Sequence, residues 1–266
     1  MIEWLDADEV QVDGRTFRVI DAQSAKDAPG ATAIRKPRWF VERYIELARS
    51  LQPSRVIELG IDKGGSTVFF ALLMNQLERL LAIDIGEVPA ALADFVGDDP
   101  RGSRLRCEGG IDQSDRSAVK ALVHDTFGDE ALDFVIDDAS HLLPETRASF
   151  DTLFPRLRPG GVFVIEDWSW DHQVGRVIAE RMQAGDLPPP TDPDAGYDRA
   201  MPLSRLTLEC VLVAGYAPEV ISDVRIRRGW AEIERGPADL EGDGFAVADQ
   251  VGWLGTEVLA HRFAEV

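Results

Sequence analysis

Short apolar runs alternate with helical patterns between residues 55 and 165, and this rhythm limits the fold more than any other feature of the chain. The runs are Arg55–Leu59, Leu80–Ile85, Arg104–Cys107, Leu132–Ile136 and Val162–Ile165. Helical spacing of apolar residues covers Val68–Leu77, Ser117–Phe127 and Glu145–Leu157. Strands and helices joined in turn by short loops specify an α/β fold with a doubly wound, mainly parallel sheet. In such sheets ligands gather at the carboxyl ends of the strands, so the residues that follow each run are where chemistry is expected.

Both flanks read differently. Before residue 50, alternating apolar and polar residues on either side of Asp13-Gly14 predict a β-hairpin. A helix is expected over Pro37–Ser50, with Phe40, Tyr44, Ile45 and Leu47 on its apolar face. After Trp170 come a helix over Gln173–Ala184, a Pro- and Asp-rich irregular stretch, and a helix over Leu203–Ala214 capped by Ser204. Two strands follow, Val220–Ile226 and Trp230–Glu234, joined around Arg228-Gly229. The organisation expected is an N-terminal extension over 1–50 and one domain over 51–266, with an insert near 185–200.

Charge narrows the partners. Asp and Glu total 47 against 28 Lys and Arg, a formal charge of −19. Nucleic acid is excluded as a partner, because counterion release needs clustered basic groups. Two cysteines without a CxxC pair leave no disulfide framework and fit a reducing cytoplasm. The acidic start MIEWLDADEV is unlike a signal peptide, and no apolar run approaches the ~20 residues that cross a bilayer. A small-molecule or oligosaccharide partner is the expectation, away from membranes.

The first strand runs into Glu58-Leu59-Gly60-Ile61-Asp62-Lys63-Gly64-Gly65-Ser66. Glycines at a strand–helix turn let the backbone approach a ligand, and the next helix offers free N–H groups. The spacing is neither GxGxxG nor a phosphate loop, which argues against a nicotinamide dehydrogenase. An acid two residues before the first glycine would repel a pyrophosphate and suit a cation. This E-x-G-x-x-x-G pattern, with Asp84 closing the next strand, resembles the class I S-adenosylmethionine (SAM)-dependent methyltransferases. The resemblance implies a Rossmann-like, seven-stranded sheet. It implies that Asp84 binds the ribose hydroxyls and that Glu58, Gly60, Gly64 and Ser66 surround the methionine end of SAM. Asp112, after the third strand, would lie near the adenine, and reads equally well as a plain surface loop.

The ends of strands four and five carry Asp137-Asp138-Ala139-Ser140-His141 and Glu166-Asp167-Trp168. Neighbouring strands would bring Asp138, Glu166 and Asp167 to one rim, where three carboxylates raise one another's pKa. A hard divalent cation such as Mg2+ resolves that repulsion through oxygen ligands. His141, three residues after Asp138, can face the same place; a free imidazole titrates near ~6.5 and serves as a general base at neutral pH. Asp137 reads as a structural partner of the following turn, and His172 as an exposed residue without a role. Trp168 and Trp170 fit either stacking on an acceptor ring or packing at the rim.

DDASH, SFDTLFPRLRPGG and VIEDW resemble the metal-dependent sugar O-methyltransferases of macrolide and mycobacterial polysaccharide biosynthesis and the related cephalosporin-hydroxylase-like proteins. That resemblance spans roughly residues 55–170. It implies metal ligands at Asp138, Glu166 and Asp167, a base at His141, and a sugar or glycoside hydroxyl as acceptor. A catechol or other phenol as acceptor, and a SAM-binding protein without turnover, are the competing expectations. A homo-oligomer is left open by analogy alone.

Overall fold

The computed structural model describes residues 2–20, 33–185, 202–240, 244–253 and 256–257. Most of the expected insert, at 186–201, lies outside the described residues.

The central strand is β5 (Arg55–Leu59), flanked in parallel by β6 (Arg79–Ile83) and β8 (Leu132–Asp137). Beyond them lie β7 (Leu105–Glu108) on one side and β9 (Leu157–Glu166) on the other, both parallel to their neighbours. β11 (Trp230–Arg235) pairs antiparallel with β9, and β10 (Ile221–Arg227) antiparallel with β11. The seven-stranded order is therefore β10-β11-β9-β8-β5-β6-β7, the doubly wound, mainly parallel sheet expected. The chain reverses direction of travel between β5 and β8, so a crevice opens at their carboxyl ends.

Alternate residues of β5 feed two cores. Val56 faces the layer of α1 (Arg38–Leu51) and α2 (Gly65–Leu73), and Ile57 and Leu59 face α4 (Arg116–Phe127), α5 (Leu143–Leu153) and α7 (Ser204–Tyr216). A helix absent from the sequence expectation, α3 (Ala90–Asp98), buries Leu92 and Phe95 into the first core. α6 (Trp170–Gln183) follows β9.

The N-terminal extension is a four-stranded sheet: β1 (Ile2–Trp4), β2 (Glu9–Val12), β3 (Arg15–Val19) and β4 (Ala33–Ile34). The expected hairpin forms at Asp13-Gly14, both with positive φ (48° and 84°), as a two-residue turn between twisted strands requires. Val10, Val12, Phe17 and Val19 join the same core as α1 and α2, and the rings of Phe17 and Phe69 meet edge to face at 5.5 Å. The extension thus shares its core with the sheet.

Two local expectations are corrected. Leu157 starts β9, not the end of the preceding helix; Pro159-Gly160-Gly161, expected as a turn, is an irregular passage inside the strand, where pairing with β8 jumps from Leu132↔Leu157 to Phe134↔Val162. Ser204 is the first residue of α7 and caps nothing with its side chain; its Oγ meets Nε2 of His172 at 2.7 Å.

Candidate active site

The glycine turn is built by close approach. Gly60 (φ 94°) and Gly64 (φ 82°) occupy the left-handed region, which costs glycine little. A Cβ on Gly65 would stand 1.7 Å from the carbonyl oxygen of Ala33, so β4 of the extension presses directly on the start of α2. Asp84 holds the turn from the next strand: Oδ2 accepts from the N–H groups of Ile61 (2.6 Å) and Asp62 (3.1 Å), and Oδ1 from Gly86 (2.7 Å).

Glu58 lies buried beneath this turn. Its Oε1 accepts from Ser66 Oγ at 2.5 Å, while Oε2 has no hydrogen-bond partner and is shut from solvent. Burial pushes its carboxyl up to about 7, against the pull of the Ser66 and Thr67 hydroxyls and of the Lys36 charge. A buried carboxylate oxygen without a partner is costly and stays so until a cation or donor arrives. Glu58 and Ser66 are thus joined directly, and Asp84 braces the turn that runs from Gly60 to Gly64. Asp112 stands apart as an exposed residue whose Oδ1 accepts from Ser114 N–H at 2.8 Å; those turn hydrogen bonds hold its carboxyl below the usual range. Its buried neighbour Gln113 reaches Asp137 Oδ2 at 3.3 Å and accepts from Ser140 N–H at 3.3 Å.

Asp137 and Asp138 diverge at the end of β8. Asp137 is buried, accepts from Ser149 Oγ at 2.7 Å and is pushed up to about 6 by burial against that hydrogen bond. Asp138 turns to the open rim. There Oδ1 lies 3.9 Å from His141 Nε2, which is 4.0 Å from Asp167 Oδ2. Ligand-type atoms of Asp138, His141 and Asp167 all fall within 4.8 Å of one another. His141 (φ 57°) and Asp167 (φ 51°) both hold left-handed backbone, a strain of ~1 kcal/mol or more that surrounding contacts must sustain. For Asp167 those contacts come from the β10–β11 hairpin. Its N–H donates to the Gly229 carbonyl at 2.6 Å, and Trp168 Nε1 donates to the Arg227 carbonyl at 2.9 Å.

Glu166 lies deeper, beneath Asp138, and the two carboxylates meet on one ammonium. Glu166 is 2% exposed, and its Oε1 accepts from Lys36 Nζ at 2.7 Å and from the Tyr44 hydroxyl. The same ammonium reaches Asp138 Oδ2 at 2.5 Å. Burial disfavours the charge of Lys36, yet Asp138 and Glu166 outweigh it and hold its pKa above the usual lysine value. Burial, then the charge of Asp138, raise the pKa of Glu166 against the pull of Lys36. Lys36 sits just beyond β4 and Tyr44 on α1, so the extension supplies two groups that sequence reasoning did not place at the site. The signal available was a tyrosine, with its polar hydroxyl, in the apolar face Phe40–Leu47.

Trp170 is half exposed, and His172 is engaged with Ser204. A cavity of about 690 Å3, lined by Arg116, Arg156, Arg158 and Arg235 among others, lies near the amino ends of β8 and β9 and includes none of the groups above. Among the described residues no helix is long and apolar enough to cross a membrane.

Residues 57–168 match a family described as a methyltransferase domain. Over part of its length the chain is similar to the mycinamicin VI 2''-O-methyltransferase of Micromonospora griseorubida, at 60% identity over 35% of this chain and 28% of that protein. It is also similar to the L-olivosyl-oleandolide 3-O-methyltransferase of Streptomyces antibioticus, at 54% identity over 48% of this chain and 32% of that protein. Among solved structures, the MycE methyltransferase of the mycinamycin biosynthetic pathway, in complex with Mg and SAH, superposes with a TM-score of 0.54 at 24% identity, over 77% of this chain and 51% of that one. The chain spans about a third or less of these two relatives, and the structural likeness establishes a shared methyltransferase fold.

Proposed function

We propose that this chain, which shares the methyltransferase fold and matches a methyltransferase domain over residues 57–168, is a SAM- and Mg2+-dependent O-methyltransferase acting on a sugar hydroxyl. The observation that carries the proposal is one rim holding two chemistries side by side. Glu58 offers a buried carboxylate oxygen without a partner on one flank. Asp138, His141 and Asp167 converge on the other.

The residues fit both groups. SAM is a cation, and Glu58 Oε2 answers its positive charge; Asp84, fixed by three backbone N–H groups, keeps lone pairs for a vicinal diol. Mg2+ is held through a few carboxylates and keeps its other positions for water and substrate; Asp138, Glu166 and Asp167 would hold it. When bound there, the cation supplies a positive charge that lowers the pKa of an adjacent hydroxyl. His141 orients that hydroxyl and takes its proton as the oxygen attacks the methyl carbon. An O–C bond forms, the S–C bond breaks, and the leaving thioether departs neutral. Asp112 is proposed to border the adenine from the exposed loop after β7. The names of the macrolide-pathway relatives support a glycoside acceptor.

The test is transfer of labelled methyl from SAM to a panel of rhamnosyl and deoxysugar glycosides, with and without a chelator. Methylation that needs Mg2+ and falls at least ~100-fold in His141→Ala is expected. Turnover indifferent to chelator and to His141 would point to a phenolic acceptor. Saturable SAM binding without transfer to any hydroxyl would leave a binding protein.

A further inference from the structure

The cavity of about 690 Å3 at the amino ends of β8 and β9 has no part in methyl transfer as proposed above. Arg116, Lys120, Val123 and His124 recur at helical spacing, so one face of α4 lines it. Arg156 and Arg158 enter at the start of β9. β11 runs antiparallel to β9 and pairs Glu234 with Val162, which brings Arg235, at the carboxyl end of β11, to the same place. The chain as a whole carries 47 acidic against 28 basic residues. At this cavity five arginines and lysines face three aspartates, Asp129, Asp151 and Asp239, so the balance of charge is locally reversed.

Carboxylates answer only part of that charge. Asp151 meets Arg116 at 2.9 Å, and Asp133 meets Arg158 at 2.6 Å. The hydrogen bonds of the other two guanidiniums go to neutral carbonyls. Arg156 Nη2 donates to Gly128 at 2.6 Å and to Glu130 at 3.2 Å, and Arg235 donates to Gly236 and Ala238. Arg235 is 4% exposed, and its Nε–H has no hydrogen-bond partner. Burial lowers its pKa against the charge of Asp239. A buried cation whose donors meet carbonyl dipoles is costly, and an anion brought near it in a poorly screened place relieves that cost. Apolar surface adjoins the charge. Phe245 stacks on Phe154 at 5.9 Å, and Arg235 Cζ lies 5.9 Å from the centroid of the same Phe154 ring. Val123 and Leu240 continue this wall.

We propose that this cavity is a second ligand site, built for an organic carboxylate with an apolar body. The acid group is drawn to Arg156 and to the buried charge of Arg235, and the body lies against Val123, Leu240 and Phe245. The planar guanidinium of Arg156 suits a carboxylate. A phosphate dianion would be repelled more strongly than a monoanion by the three aspartates. The volume falls within the ~300–1,000 Å3 of sites that hold organic ligands. The site shares no side chain with the acidic rim at the opposite strand ends.

The test is titration of the full chain with anilinonaphthalene sulfonate, a fluorescent apolar anion, followed by displacement with decanoate and with its uncharged counterpart decanamide. Saturable dye binding is expected, with decanoate displacing the dye at a concentration at least ~10-fold lower than decanamide. Arg156→Gln should weaken both dye and decanoate at least ~10-fold. Lys120→Glu, an exposed substitution on α4 that leaves the fold intact, should weaken both at least ~3-fold and remains decisive if Arg156→Gln misfolds. Dye and decanoate binding unchanged in Lys120→Glu and in folded Arg156→Gln would overturn the proposal. So would decanamide that displaces the dye as well as decanoate does, or an unmodified protein that binds neither anion saturably.

Discussion

Gly60 and Asp138 meet backbone to backbone: a Cβ on Gly60 would stand 2.2 Å from the Asp138 carbonyl oxygen. The Asp138 N–H in turn donates to the Leu59 carbonyl at 2.9 Å. The glycine turn and the end of β8 that carries Asp138 are therefore one rigid piece. Gly60→Ala meets both a clash and an unfavourable φ of 94°, so it should destabilise by about 2–4 kcal/mol. Calorimetric titrations of the folded variant should show SAM and Mn2+ affinity falling together. Loss of one with the other intact would mean that the two halves are mechanically separate.

The role proposed for Glu58 makes SAM binding depend on pH. Burial pushes its carboxyl up to about 7, and the ionised form is the one that attracts a cation. SAM affinity should weaken by up to ~10-fold per pH unit below 7 and level off above it. Glu58→Gln should bind weakly with a flat profile. Stability runs the opposite way. The folded pKa lies above the unfolded value, so the penalty is absent below about 4.5, grows as pH rises, and is complete above 7. Glu58→Gln should accordingly raise the melting temperature at pH 8 and leave it nearly unchanged at pH 4. A variant that melts lower at pH 8 would contradict the assignment.

Trp230 is the hub on which α1 leans. It is fully buried among Phe40 and Tyr44, with ring centroids 4.9 and 4.8 Å away, and its Nε1 donates to Glu232 Oε1 at 2.7 Å. Trp230→Ala should cost about 3–5 kcal/mol by denaturant titration. Because Tyr44 donates to Glu166, one of the proposed metal ligands, the folded fraction should also bind Mn2+ more weakly. Unchanged metal binding would show that Tyr44 holds its place without this wall.

Asp133 fastens the amino ends of three neighbouring strands. Oδ2 accepts from Ser54 N–H, Ser54 Oγ and Arg55 N–H at 2.8–2.9 Å, and Oδ1 from Arg158 Nε at 2.6 Å. Burial opposes its charge, yet Arg158 and the N–H donors outweigh it and hold the carboxyl below the usual aspartate range. Its contribution is present above the unfolded pKa of ~3.9 and is lost as pH falls through the lower folded value. Asp133→Asn should cost about 2–3 kcal/mol at pH 7, with the gap to the unmodified protein narrowing below pH ~4. A gap that stays constant with pH would assign the loss to shape alone.

What could be read from sequence was local in origin. The runs around Val56, Leu81 and Val135 are apolar because both faces of a parallel strand are covered, and Asp13-Gly14 turns by its own chemistry. Helix α3 escaped notice because only Leu92 and Phe95 mark its buried side and Gly97 and Asp98 break the pattern. DDASH and Glu166-Asp167 could be placed on one rim because β8 and β9 are consecutive neighbours. The contact of both acids with Lys36 could not: that lysine is 130 residues from Glu166 and 102 from Asp138, brought there by a parallel pairing of only two residues per strand. Nothing local distinguishes that lysine from the arginines beside it.

The stretch that matches a methyltransferase domain, residues 57–168, contains the acids of the rim but neither Lys36 nor Tyr44 nor the Gly229 turn that steadies Asp167. The matched stretch and the proposed machinery therefore have different borders. A chimera spliced at the borders of that stretch would inherit three carboxylates stripped of their internal cation, and a donor segment would have to bring residues 33–44 and the β10–β11 hairpin with it to remain the same instrument.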